Sequence, residues 1–78
     1  MTTKLEEVIA LGNQEAAARA GYVITVKEAL DAGTLIDHAS ALKLLNEMKD
    51  VNKLNQFAVP EEIQTKLISA IDDLINAL

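Results

Sequence analysis

The run from Pro60 to Leu78, PEEIQTKLISAIDDLINAL, constrains the fold more than any other part of the chain. Proline is tolerated in the first turn of a helix, and Glu61 and Glu62 stand where acidic side chains favour the positive end of the helix dipole. From there Ile63, Leu67, Ala70, Ile71, Leu74 and Leu78 recur at helical spacing and form one continuous apolar stripe. Ile68 and Ile75 lie to one side of it and widen the apolar arc to roughly 160° at 100° per residue. One neighbouring helix does not cover such an arc. The stripe therefore predicts an all-α fold, a small bundle of three to four helices, with residues 1–78 forming a single helical domain.

The remaining segments supply the neighbours. Thr3 followed by Glu6 is a capping box that starts a helix at about Lys4. Gly12 and Asn13 interrupt its apolar spacing and predict a weakened turn or a break, and Gly21 reads as the stop. A second capping box, Thr25 with Glu28, opens a short helix that ends at Gly33. The next helix, capped by Thr34 or Asp37, carries Leu35, Ala39, Leu42, Leu45 and Met48 at helical spacing and is expected to be central. NKLNQFAV, with two Asn and a Gln, reads as a connecting loop. The alternative for YVITV, Tyr22 to Val26, is a strand, because these residues are β-branched or aromatic. Its only pairing candidate is Gln56 to Val59, which would give a minor two-stranded β element.

Ala17, Gly21 and Thr25 resemble the spacing of prokaryotic helix-turn-helix units, in which Ala-x-x-x-Gly closes the first helix and Thr or Ser opens the recognition helix. The resemblance covers about 17 residues and implies a DNA-binding regulator. It departs from the pattern at the sixth residue after Gly21. That residue is Lys27, where such units bury an apolar side chain, and Val26 falls one place early. The second helix also presents Lys27 against Glu28 and Asp31, a poor set for base edges and phosphates.

Charge points the same way. Seven basic against twelve acidic residues give a net charge of −5, spread along the chain, which opposes binding to nucleic-acid phosphate. The chain has no cysteine, so it can form neither a disulfide framework nor a thiolate metal site. This usage fits a reducing compartment, and MTTKLEEVIALG has the form of neither a signal nor a transit peptide. No apolar run approaches the roughly 18 residues of a membrane span. A cytoplasmic protein with no membrane partner is expected.

No residue set points to chemistry. Asp37 and His38 are sequence neighbours, about 100° apart on a helix, and do not form a ready acid–base couple. Asp50, Asn52 and Glu61 match three positions of an EF-hand calcium loop, but Leu54 and Asn55 occupy the fifth and sixth, where a ligand and a glycine belong. No catalytic, cofactor-binding or metal-binding residue is assigned, and neither enzyme activity nor a small-molecule substrate is expected. Half of the residues are apolar, and a chain this short has too much surface to hide them all. The reading is therefore a small acidic helical protein–protein interaction module, an adaptor, assembly factor or inhibitor of a larger protein, that also self-associates as a homodimer. Ile68 and Ile75, seven residues apart on the edge of the C-terminal arc, and the two aromatics Tyr22 and Phe57 are the candidate interface. A helix-turn-helix DNA-binding regulator is the alternative.

Overall fold

A computed structural model of the chain describes residues 3–78. Four packed helices and one short helical segment account for the described residues, with no strand among them: α1 (Lys4–Ala10), α2 (Gln14–Asp31), α3 (His38–Met48), α4 (Val51–Gln56) and α5 (Glu61–Ala77). Helices α1, α2 and α5 pack against one another, and α3 leans on α2 and α5. The shortest dimension is 18 Å, about two helix diameters, so the bundle is two layers thick.

The helix starts follow local chemistry. The Thr3 hydroxyl accepts the Glu6 amide at 3.2 Å, opening α1 at the expected residue. The break expected at Gly12 and Asn13 is a full one. Gly12 has φ +80°, a left-handed conformation that glycine adopts without a Cβ clash, and the Asn13 side chain caps α2 by accepting the Ala16 amide at 2.9 Å. Asp37, not Thr34, caps α3, accepting the Ser40 amide at 3.0 Å. Pro60 is the residue immediately before α5, with Glu61 and Glu62 in its first turn.

Two expectations fail between Ala17 and Gly33. Gly21 does not stop a helix. It lies inside α2, which runs unbroken for 18 residues. Thr25 caps nothing, and its hydroxyl donates to the Gly21 carbonyl one turn back at 3.1 Å. The turn required by the helix-turn-helix resemblance is therefore absent, and Tyr22 to Val26 is helix, not strand. The reason is the phase of the apolar pattern. Ala16, Ala20 and Val23 lie on one buried face, Val26 and the half-buried Leu30 extend it, and the stripe passes through Gly21 in register. Packing that face outweighs both the glycine, worth about 1 kcal/mol against Ala, and the β-branched run. The expected end at Gly33 is found, with φ +71° and the Thr34 amide returning to the Ala29 carbonyl at 2.9 Å, a Schellman-type closure.

A third correction concerns NKLNQFAV. Most of it is helix, since Asp50 caps α4 by accepting the Asn52 amide at 3.0 Å and Leu54 is fully buried. Helix α3 differs as well. Its core face is Ala41 and Leu45, with Leu44 and Met48 partly buried, whereas Ala39 and Leu42 are exposed. It sits beside the three-helix cluster, not at its centre. Helix α5 has the stripe expected of it, for Leu67, Ala70, Ile71 and Leu74 are buried and Ile63 and Leu78 are half-buried.

A Cβ added at Gly21 meets no atom within 4 Å, and its φ is not positive. Gly21→Ala should therefore raise stability by about 0.5–1 kcal/mol in urea denaturation, where a turn glycine would lose stability. Ile71→Ala should lower it by about 2–5 kcal/mol in the same measurement, because the side chain is fully enclosed.

Candidate functional site

Two polar side chains occupy positions in the apolar stripes, and both are buried and hydrogen-bonded. Arg19, 7% exposed, falls four residues before Val23 on α2. Its Nε donates to Glu15 Oε1 at 2.9 Å, and its Nη1 donates to the carbonyls of Glu47 and Met48 at 3.3 and 3.1 Å. These are carbonyls of the last turn of α3, where partial negative charge gathers; the Glu47 carbonyl also accepts the Asp50 amide at 3.3 Å. One guanidinium thus fastens the end of α3 to α2. Gln64, also 7% exposed, falls in the α5 stripe, and its Nε2 donates to Asn55 Oδ1 and to the Val59 carbonyl, each at 2.8 Å. It fixes the α4–α5 connection from inside. Among the described residues no buried side-chain nitrogen or oxygen lacks a partner.

The clamped connection presents Phe57. Ala58 has φ +56°, an uncommon left-handed conformation for a residue with a Cβ, and Val59 beyond it is buried as an anchor. The Phe57 ring is 57% exposed and lies over the Arg19 guanidinium, with 6.0 Å from carbon to ring centroid. Tyr22, 60% exposed, follows Arg19 by three residues on α2 and so stands beside it on the helix surface. Phe57 thus lies against the arginine, and Tyr22 follows that arginine by one helical turn, although 35 positions separate the two aromatics in sequence. Gly12, Asn13, Gln14 and Glu15 border a shallow depression next to Phe57.

The other two interface candidates are differently placed. Ile68 and Ile75 are half-buried and packed against the core. Asp72 lies between them on the same side of α5 and pairs with Lys49, just past α3, at 2.6 Å. Helix α3 accordingly covers the flank of the arc that the sequence leaves open, and these isoleucines offer less free surface than the aromatics.

A second concave feature lies where the start of α1 and the ends of α2 and α5 meet. It is a groove of about 270 Å³, floored by Leu5, Leu30, Ala70, Leu74 and Ala77. Two ion pairs stand on its rim. Lys4 bonds Asp73 at 2.6 Å and Lys27 bonds Asp31 at 2.7 Å, a contact that raises the Lys27 pKa above the ordinary lysine value.

His38 has no acid–base partner in Asp37. Both Asp37 oxygens accept from Ser40, one from its amide and one from its hydroxyl at 2.7 Å, and these bonds hold the carboxyl below the usual aspartate range, the amide bond contributing most. Among the described residues no three His, Asp or Glu side chains are grouped so as to hold a metal ion, and no helix is long and apolar enough to cross a membrane. Asp50 and Asn52 sit at the start of a helix, not in a calcium loop. Comparison with known protein families, curated proteins and solved structures finds no match.

Arg19→Met keeps the stem and removes the donors. It should lower stability by about 1.5–3 kcal/mol in urea denaturation, and hydrogen exchange should show earlier opening at the end of α3.

Proposed function

We propose that the domain is a small acidic protein–protein interaction module, an adaptor, assembly factor or inhibitor of a larger protein, that also pairs with itself as a homodimer. The observation that carries this reading is the position of the aromatics. The chain has one Tyr, one Phe and no Trp, and both rings are more than half exposed over a core built only of aliphatic side chains and alanine. Burying a Phe side chain stabilises a fold by roughly 1.5–3 kcal/mol. A domain this small forgoes that gain twice.

What supports a partner there is chemistry and rigidity together. Aromatic residues and arginine are enriched at the energetic centres of protein interfaces, and a ring has few torsions to immobilise on binding. Phe57 is held by the Gln64 clamp and the Arg19 stack, and Tyr22 stands on the longest helix, so neither anchor needs much ordering. The net charge of −5 speeds encounter with a basic partner surface and slows encounter with nucleic acid. Ile68 and Ile75, half-buried beside the Lys49–Asp72 pair, are the second candidate surface, on α5.

A Tyr22→Ser, Phe57→Ser variant tests the reading, with Ile68→Lys, Ile75→Lys as the comparison. The first should keep the helical spectrum and thermal midpoint of the wild type and lose at least tenfold in affinity for a partner recovered from the native host, about 1.4 kcal/mol or more. The second should weaken association through α5 with the helical spectrum retained, since lysine stems can lie along the apolar surface. Unchanged partner binding in both variants, or salt-sensitive binding of duplex DNA below micromolar by the wild type, would overturn the proposal.

A further inference from the structure

The apolar faces of α1 and α2 are in phase with each other through the turn that separates them. Counted at about 100° per residue straight across Leu11, Gly12 and Asn13, the buried Leu5 and Val8 of α1 and Ala16, Ala20, Val23 and Val26 of α2 fall within one arc of roughly 120°. A hairpin has no need of that agreement, because the chain reverses between its two helices. Ile9 lies in the same arc and is nevertheless 40% exposed, so the hairpin leaves it uncovered.

The turn is short and rests on one backbone conformation. Gly12 at φ +80° reverses the chain, and the Asn13 side chain caps α2. A Cβ at Gly12 would meet no atom within 4 Å, so alanine there is opposed by the left-handed backbone and not by packing. Short hinges of this kind favour exchange of an element between copies. The element beyond this hinge, α1, buries Leu5 and Val8, and its Lys4 Nζ donates to Asp73 at 2.6 Å and to Ser69 at 3.3 Å on α5.

We infer that α1 is an exchangeable arm: when Gly12 and Asn13 turn helical, residues 4–31 form one helix and α1 docks on α2 and α5 of a second copy. This rests on the self-association proposed above and names its surface. The occupant follows from the fold, since the site is the one α1 fills within its own chain, and a second copy brings the same Leu5, Val8 and Lys4 to the same partners. The contacts of α1 with α2 and α5 are therefore alike in both forms. Exchange is reciprocal, so each copy fills the place the other's arm has left and the assembly closes as a dimer. What separates the forms is the turn set against concentration, for a tethered arm competes at an effective concentration of about 1 mM. The wild type accordingly dimerises toward that range and is a monomer well below it.

Gly12→Ala tests the arm, because alanine disfavours the left-handed turn by roughly five- to thirtyfold and two turns straighten per dimer. Light scattering over concentrations reaching about 1 mM should show the dimer dissociation constant fall by at least about 25-fold. A carbodiimide then reports which chain α1 sits on. It joins the Lys4 amine to the Asp73 carboxylate as an amide and takes up the water released as its urea. Unlabelled and heavy-nitrogen proteins are mixed dilute, concentrated, cross-linked and analysed by mass spectrometry as isolated dimer. The Lys4–Asp73 amide should join light chains to heavy ones, whereas the Lys49–Asp72 amide, outside the exchanged element, should stay within one chain. If Gly12→Ala loses its helical spectrum, the wild-type dimer at the highest concentration is cross-linked in its place, with the same result expected. A dimer whose Lys4–Asp73 amide stays within one chain, or a helical Gly12→Ala protein no more dimeric than a wild type that associates, would overturn the exchange and leave self-association standing. Wild type and variant both monomeric at every concentration would overturn both.

Discussion

Covering the apolar arc of α5 is the constraint on which the rest of the structure depends. An arc that wide needs contact on three sides, and α1, α2 and α3 each pack against it. Buried Leu5 and Val8 commit α1, and Ala16, Ala20, Val23 and Val26 commit α2. With α1 and α2 already touching each other, α3 takes the remaining flank. The Lys49–Asp72 pair beside Ile68 and Ile75 marks where it closes. Because the pair is partly exposed, its worth lies in register more than in energy.

Polar side chains then fix what apolar packing leaves free. Aliphatic contacts are non-directional and set proximity without specifying how far one helix slides along another. Arg19 meets the last carbonyls of α3, and Gln64 meets Asn55 and the Val59 carbonyl, so each has an angular requirement that one arrangement satisfies. Both are costly if left unpaired in the interior. The same two residues hold the surface in place: Arg19 lies under Phe57 and beside Tyr22, and Gln64 anchors the connection that carries Phe57. Core specificity and presentation of the aromatics have one cause.

The aromatic patch and the groove lie in different parts of the molecule and use different chemistry. The surface at Phe57 is built on an arginine and borders a shallow depression; the groove is lined mainly by aliphatic side chains and carries two ion pairs on its rim.

Much of this was legible in the residues themselves. The all-helical class, the cap at Thr3, the start of a helix at about Pro60, the break at Gly12 and the stop at Gly33 follow from short-range chemistry, because capping and glycine conformation involve neighbours within one turn. The α5 stripe was equally plain. Gly21, Thr25 and the start of α4 were not, since their local signals favour a turn, a cap and a loop, and only burial of the α2 face and of Leu54 reverses them. Arg19 and Gln64 left a trace, polar residues at core spacing, that periodicity alone cannot interpret. Tyr22 and Phe57 stand out in composition, but the contact of Phe57 with Arg19, one helical turn before Tyr22, joins α2 to the α4–α5 connection only in the fold. The sequence by itself determined the helical class, the cap at Thr3, the glycine ends and the apolar face of α5, because those depend on contacts a few residues long. Only the tertiary structure decided which apolar side chains are covered, because that depends on where the other helices lie.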